Sequence, residues 1–224
     1  MLRRYLTLLL TLLLSACVTA TQPTDTEVSY LAKSDIDTVA DIHLRQTDQY
    51  IKELAYKLYR RNPSHCDGGT PKIKACVERL FDHQSYPKLS SSHSIKSLTL
   101  SFELEFSGDR VGMFISGLRS MIHRAYSNKT EFFFFDELEP QKLYNSARNI
   151  EIAVWRLSNY RDESGQPLLV TNSMKSDTAN LSFERLFGKL IATQDSMATI
   201  SAESSRRRIK NIIQRLATAV FLPI

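Results

Sequence analysis

Along most of the chain, apolar residues return every three or four positions, the spacing that places them on one side of a helix. The first such run is Ile36, Val39, Ala40, His43, Thr47, Ile51, Leu54 and Leu58. It begins after Ser34, which with Asp37 forms a capping arrangement, and stops at Asn62-Pro63. Thr70-Pro71 reads as the N-cap and first-turn proline of a shorter helix reaching His83, with Ile73, Cys76, Val77, Leu80 and Phe81 facing inward. A third stripe, Val111, Phe114, Ile115, Leu118, Ile122 and Ala125, lies between Gly108-Asp109 and Ser127-Asn128. Arg119 and His123 interrupt it, which marks a core helix and not a membrane crossing. The fourth, Leu143, Ala147, Ile150, Val154 and Leu157 with Trp155 beside it, ends near Tyr160. Asp136 offers its N-cap, and Glu137 and Glu139 suit a helix start.

The last helical region, capped by Asn180 or Ser182, keeps Phe183, Phe187, Leu190 and Met197 in phase. Its stripe fades over residues 201–208 and resumes at Ile209, Ile212, Ile213, Leu216 and Val220, before Pro223. The pattern fits one helix of about 40 residues, about 60 Å long, or two helices joined at the serines.

Elsewhere the period changes. Leu98, Leu100, Phe102, Leu104 and Phe106 alternate with Thr99, Ser101, Glu103 and Glu105, as in a half-buried strand. Residues 168–171, after a turn at 162–167, read as a short strand or an apolar linker, and residues 86–93 as a polar loop. Phe132, Phe133, Phe134 and Phe135 cannot share one face of a strand or helix. They are expected to plug the core, or else to touch a membrane or a partner. Together these patterns predict a mainly α-helical single domain over residues 34–224, with five or six helices and a small two-stranded β element from 98–106 and 168–171.

The N-terminus has a different organisation. Arg3 and Arg4 precede an apolar run over residues 5–14, then Ser15, Ala16 and Cys17, the order of an export signal. These ten residues cover about 15 Å as helix, against a hydrocarbon core of about 30 Å. Leu14-Ser15-Ala16-Cys17 resembles the lipobox of bacterial lipoproteins. The resemblance implies that residues 1–16 are a signal peptide, and that Cys17 receives a thioether-linked diacylglycerol and then an N-acyl chain such as palmitate. Several acyl chains make attachment stable where one is marginal. Val18 stands where an aspartate is the usual inner-membrane retention signal of Gram-negative lipoproteins. For a Gram-negative source, the resemblance therefore implies the outer membrane, facing the periplasm. Residues 17–33, rich in threonine, read as the lipidated N-terminus and a flexible tether reaching about 20 to 24 Å. Residues 129–157 and 180–224 look like a family of small proteobacterial lipoproteins of uncharacterised function. That likeness implies an exported, anchored protein and no activity, cofactor or catalytic residue.

Cleavage before Cys17 removes 16 of the 224 residues, with two of the 29 basic residues and none of the 24 acidic ones. The remainder is long enough for one domain with a real core. Its slight basic excess lacks the clustering of a nucleic-acid binder, so the expected partners are the membrane, through acyl chains on Cys17, and another envelope protein. With Cys17 assigned to lipid, Cys66 and Cys76 remain as a pair in an oxidising compartment. A disulfide between them would contribute about 2 to 3 kcal/mol; two unpaired thiols are the alternative.

His43, His65, His83, His93 and His123 are scattered, with no metal-ligand spacing. No nucleophile elbow, P-loop or dinucleotide fingerprint occurs. No catalytic residue, metal or cofactor is expected. Glu131, Asp136, Glu137 and Glu139 lie beside the phenylalanine run, and carboxylates flanking an apolar cleft are what a glycosidase uses. Arg148 and Glu151 suit a surface pair, with a ligand site from Tyr144, Asn145, Arg148 and Asn149 as the alternative. Arg206, Arg207 and Arg208, with Lys210 and Arg215, give the last helix a basic face, either solvated or docked on anionic head groups. The function expected is a non-catalytic scaffold or interaction lipoprotein. The alternatives are a carrier or sensor for an apolar ligand, and an envelope hydrolase using the carboxylate cluster.

Overall fold

The computed structural model describes residues 33–66, 70–82, 94–172, 180–212 and 214–224. The leader, Cys17, most of the tether, His83, His93 and the polar loop at 86–93 lie outside the described residues. The compact body runs from Ser34 to Ile224. Six α-helices are described: α1 (Asp35–Arg61), α2 (Thr70–Phe81), α3 (Ser94–Leu100), α4 (Arg110–Ala125), α5 (Pro140–Asn159) and α6 (Ser182–Ser205). Short 3-10 turns occupy Pro63–His65 and Leu216–Thr218. The fold is mainly α. None of the described helices is long and apolar enough to cross a membrane.

The four long helices alternate in direction. Asp48 of α1 meets Arg119 and His123 of α4 while Tyr59 meets Asp109, so those helices are antiparallel. Tyr50 and Thr47 of α1 face Lys189 and Gln194 of α6, again in opposite order. Ser146 of α5 meets Gln194 of α6, and Ser201 of α6 donates to the Leu138 carbonyl just before α5, closing an up-down-up-down arrangement. Its core holds Leu44, Ile51, Leu54, Phe114, Leu118, Ile150, Phe187 and Leu190.

Local chemistry sets the helix ends. Ser34 and Asp37 complete a reciprocal capping box on α1. Asn62 terminates α1, its N–H donating to the Leu58 carbonyl. Asp109 accepts from Gly112 N–H at the start of α4 and takes a 2.6 Å hydrogen bond from Tyr59. Cys66 and Cys76 stand at bonding distance, with Sγ atoms 1.99 Å and Cα atoms 6.1 Å apart, joining the first 3-10 turn to α2.

Three expectations from the pattern are corrected. Residues 98–106 are not a strand: they form the end of α3 followed by turns. Arg110 is the reason, since its guanidinium donates to the carbonyls of Ser101, Glu103 and Phe106 at 2.7 to 2.9 Å, so one side chain holds the backbone curled. Gly117 lets α3 sit against α4, where an added Cβ would lie 2.6 Å from the Leu98 nitrogen. Nor are residues 168–171 a strand, because Val170 directs its N–H and C=O to the Asn62 side-chain amide. The small β element is therefore absent among the described residues, apart from an isolated bridge between Arg161 and Pro167.

The third correction concerns the C-terminus. The last helix ends at Ser205, where Arg206 turns left-handed at φ 53°, and the chain then crosses α5 as an irregular strap. Gln141 exchanges hydrogen bonds with the Lys210 backbone, Asn145 donates to the Pro223 carbonyl, and Asn149 pairs with both N–H and C=O of Leu222. Arg156 donates to the Ala219 carbonyl and stacks on Phe221 at 4.4 Å. Side-chain amides on α5 thus take peptide groups of the strap at Lys210, Leu222 and Pro223.

Candidate interaction surface

The loop between α4 and α5 carries the phenylalanine run. Ser127 and Asn128 adopt positive φ of 58° and 57°, which reverses the chain after α4. Phe132 then enters the core at 1% exposure, its N–H donating to Asp41 and its ring 5.9 Å from that of Tyr126. Phe133 is half-buried. Its N–H donates to the Asp136 carboxylate, while the Asp136 N–H donates back to the Phe133 carbonyl. This closed turn throws the two residues between them outward. Phe134 is 70% and Phe135 92% exposed, their rings edge to face at 5.4 Å. The core-plug reading therefore holds for Phe132 and fails for the tip.

Asp136 is not the N-cap of α5, which begins four residues beyond it at Pro140, with Glu139 at the cap. Its carboxylate is instead engaged by Lys129. The Lys129 ammonium holds the Asp136 carboxyl below the usual range. Glu137 and Glu139 face Arg207 at 2.7 and 3.5 Å. The structure thus brings the phenylalanine loop and Arg207 of the 206–208 run to one end of the molecule. The same contacts tie Asp136, Glu137 and Glu139 of the suggested hydrolytic cluster to cations. Arg206 and Arg208 are exposed, on the strap and not on a helix face.

The start of the body lies at this same end. Ser34, Ile36, Asp37 and Ala40 of the α1 N-terminus share a cleft of about 340 Å³ with Phe134, Asp136, Leu138 and Ser201. No regularity in the sequence announces this, because Ser34 and Phe134 are a hundred residues apart. The signal was the alternating helix order, which sends the starts of α1 and α5 to the same end.

The other candidate residues are placed elsewhere. Tyr144, Asn145, Arg148 and Asn149 do gather on one face of α5, but the two asparagines hold the chain's own strap. Arg148 pairs with Glu151 at 3.2 Å as expected and also with Asp195 of α6 at 2.7 Å. Burial raises the carboxyls of Glu151 and Asp195 against the pull of Arg148. Burial lowers the pKa values of His43 and His65. His123 is bound to Asp48, which also receives Arg119 Nε at 2.9 Å. Burial pushes the Asp48 carboxyl up, but hydrogen bonds from His123 and Arg119 outweigh it and hold it below its ordinary value. Among the described residues, no three His, Cys, Asp or Glu side chains converge as a metal site would require. No family model, curated protein or solved structure matches the chain.

Proposed function

We propose that this protein is a lipid-anchored component of the bacterial envelope, held by acyl chains on Cys17 at the periplasmic face of the outer membrane and acting through contacts of its helical body. One observation carries the reading: Leu14-Ser15-Ala16-Cys17 closes a largely apolar run, residues 5–14, that follows two arginines and is too short to span a bilayer. The Cys66–Cys76 pair supports it, because such bonds persist in oxidising compartments such as the periplasm. An interaction role, and not hydrolysis, is supported by the cations on Asp136, Glu137 and Glu139, since a general acid near these rings would need a raised and unpaired carboxyl. The experiment is Cys17→Ser in the native host: the variant accumulates uncleaved or loses its membrane attachment. Normal processing with unchanged retention contradicts the reading.

A further inference from the structure

We infer that the Phe134–Phe135 tip inserts into the bilayer that holds Cys17, so that the body is docked on that membrane as well as tethered to it. This inference rests on the lipid-anchored reading above. Its occupant is a phospholipid surface, and three observations select it.

The first is the loop's construction. Phe132 is fastened to Asp41, Asp136 closes the turn, and Ser201 holds the Leu138 carbonyl. The two rings are therefore presented by a braced backbone, with little ordering cost left for a docking event. Two adjacent exposed phenylalanine rings on an otherwise satisfied loop suit the headgroup–acyl boundary, where Trp, Phe and Leu form the buried face of interfacial segments.

The second is where the chain leaves. Ser34 lines the same cleft as Phe134, so the point where the body joins the segment leading back to Cys17 lies beside the tip. Sixteen residues, 18–33, separate the anchor from Ser34, and a chain of that length spans at most about 55 Å. Two rings bind a bilayer too weakly to recruit a protein from solution. A covalent link to the same bilayer makes the contact intramolecular, and a weak contact then suffices.

The third is charge. Lys129 is engaged by Asp136, and the single Arg207 by both Glu137 and Glu139, so the loop carries an acidic excess and its contact with lipid must come from the rings. Insertion should accordingly need no anionic lipid, unlike docking through a polybasic run.

The test uses the mature lipidated chain in phosphatidylethanolamine–phosphatidylglycerol vesicles containing lipids doxyl-labelled near the carbonyls. Phe135→Trp is combined with Trp155→Phe, which leaves one tryptophan at the tip. Glu163→Trp in the same background is the control, in the exposed turn after the far end of α5. The tip tryptophan is expected to be quenched by the doxyl lipid at least about threefold more than the control, and shielded from acrylamide. Adding Phe134→Ser should reduce that quenching while leaving the thermal midpoint unchanged. Equal quenching at both positions would overturn the inference, pointing to a partner protein as the occupant. Shielding of the tip from acrylamide in an unlipidated chain without vesicles would also overturn it, by giving the site to residues 18–32. Acyl chains are read separately from the mass of the same sample: a lipidated chain with an unquenched tip sinks this inference alone, whereas missing acyl chains sink the anchored reading.

Discussion

The C-terminal strap and the α4–α5 loop are both irregular stretches carrying apolar side chains, and they end differently. The strap tucks Ala219 and Leu222 against the body while Asn149, Asn145 and Arg156 take its peptide groups. The loop also satisfies its backbone, through Asp41 and Asp136, yet leaves Phe134 and Phe135 in solvent. Backbone pairing is thus common to both. Both also leave apolar side chains exposed, Val220 at 66% on the strap against Phe134 at 70% and Phe135 at 92% on the loop, so what separates them is that the loop presents two adjacent aromatic rings in contact with each other. A segment whose peptide groups are satisfied but whose largest apolar side chains are not is one shaped for contact beyond its own chain.

The largest expected effect lies in the frame that supports both regions. Asp48→Ala leaves Arg119 and His123 partly buried without their carboxylate and should cost about 2 to 3 kcal/mol in chemical denaturation. The same pair gives stability a pH dependence. Because the folded Asp48 carboxyl lies below its ordinary value, its contribution is complete above about pH 4 and disappears as pH falls through the folded value. The thermal midpoint of the native chain should drop more steeply below pH 4 than that of Asp48→Asn; parallel curves would contradict this.

Next comes the strap. Asn149→Ala removes the partner of both peptide groups of Leu222 and should cost about 2 kcal/mol, with trypsin cleaving at Arg215 well before the body unfolds. If the strap stays resistant, the amide ladder does not hold it. Arg207→Ala cuts the link between strap and loop; the pair is largely exposed, so denaturation should register less than about 1 kcal/mol. Smallest is Phe134→Ser with Phe135→Ser, which should leave stability within about 0.5 kcal/mol. A large loss there would mean that the rings are covered and would erase the contrast.

Much of the helical frame was legible. Ser34 with Asp37, Asp109, and Asn62-Pro63 bound their helices through short-range chemistry that a sequence displays directly. The failures share a cause: a distant side chain supplies hydrogen bonds that local propensity cannot anticipate. Arg110 curls residues whose alternation suits a strand, Asn62 occupies Val170, and α5 amides hold Lys210 and Leu222 at the two ends of the stretch that Ile209, Ile212, Leu216 and Val220 outline as helix. The clue lay in α5 itself. Gln141, Asn145 and Asn149 recur every fourth residue, and Asn149 is wholly buried; amides placed so must meet peptide groups. Asn145 and Asn149 of the suggested ligand site are taken by the chain's own end. At the loop, the tip was legible as an anomaly of four consecutive rings. Which two would be exposed was not, because that depended on the Asp136 turn.

The most direct measurement is intact mass spectrometry of the mature N-terminus from native membranes. The account predicts a chain beginning at Cys17 that carries a diacylglyceryl thioether and an amide-linked acyl chain. An unmodified Cys17, or a polypeptide still bearing residues 1–16, would contradict it.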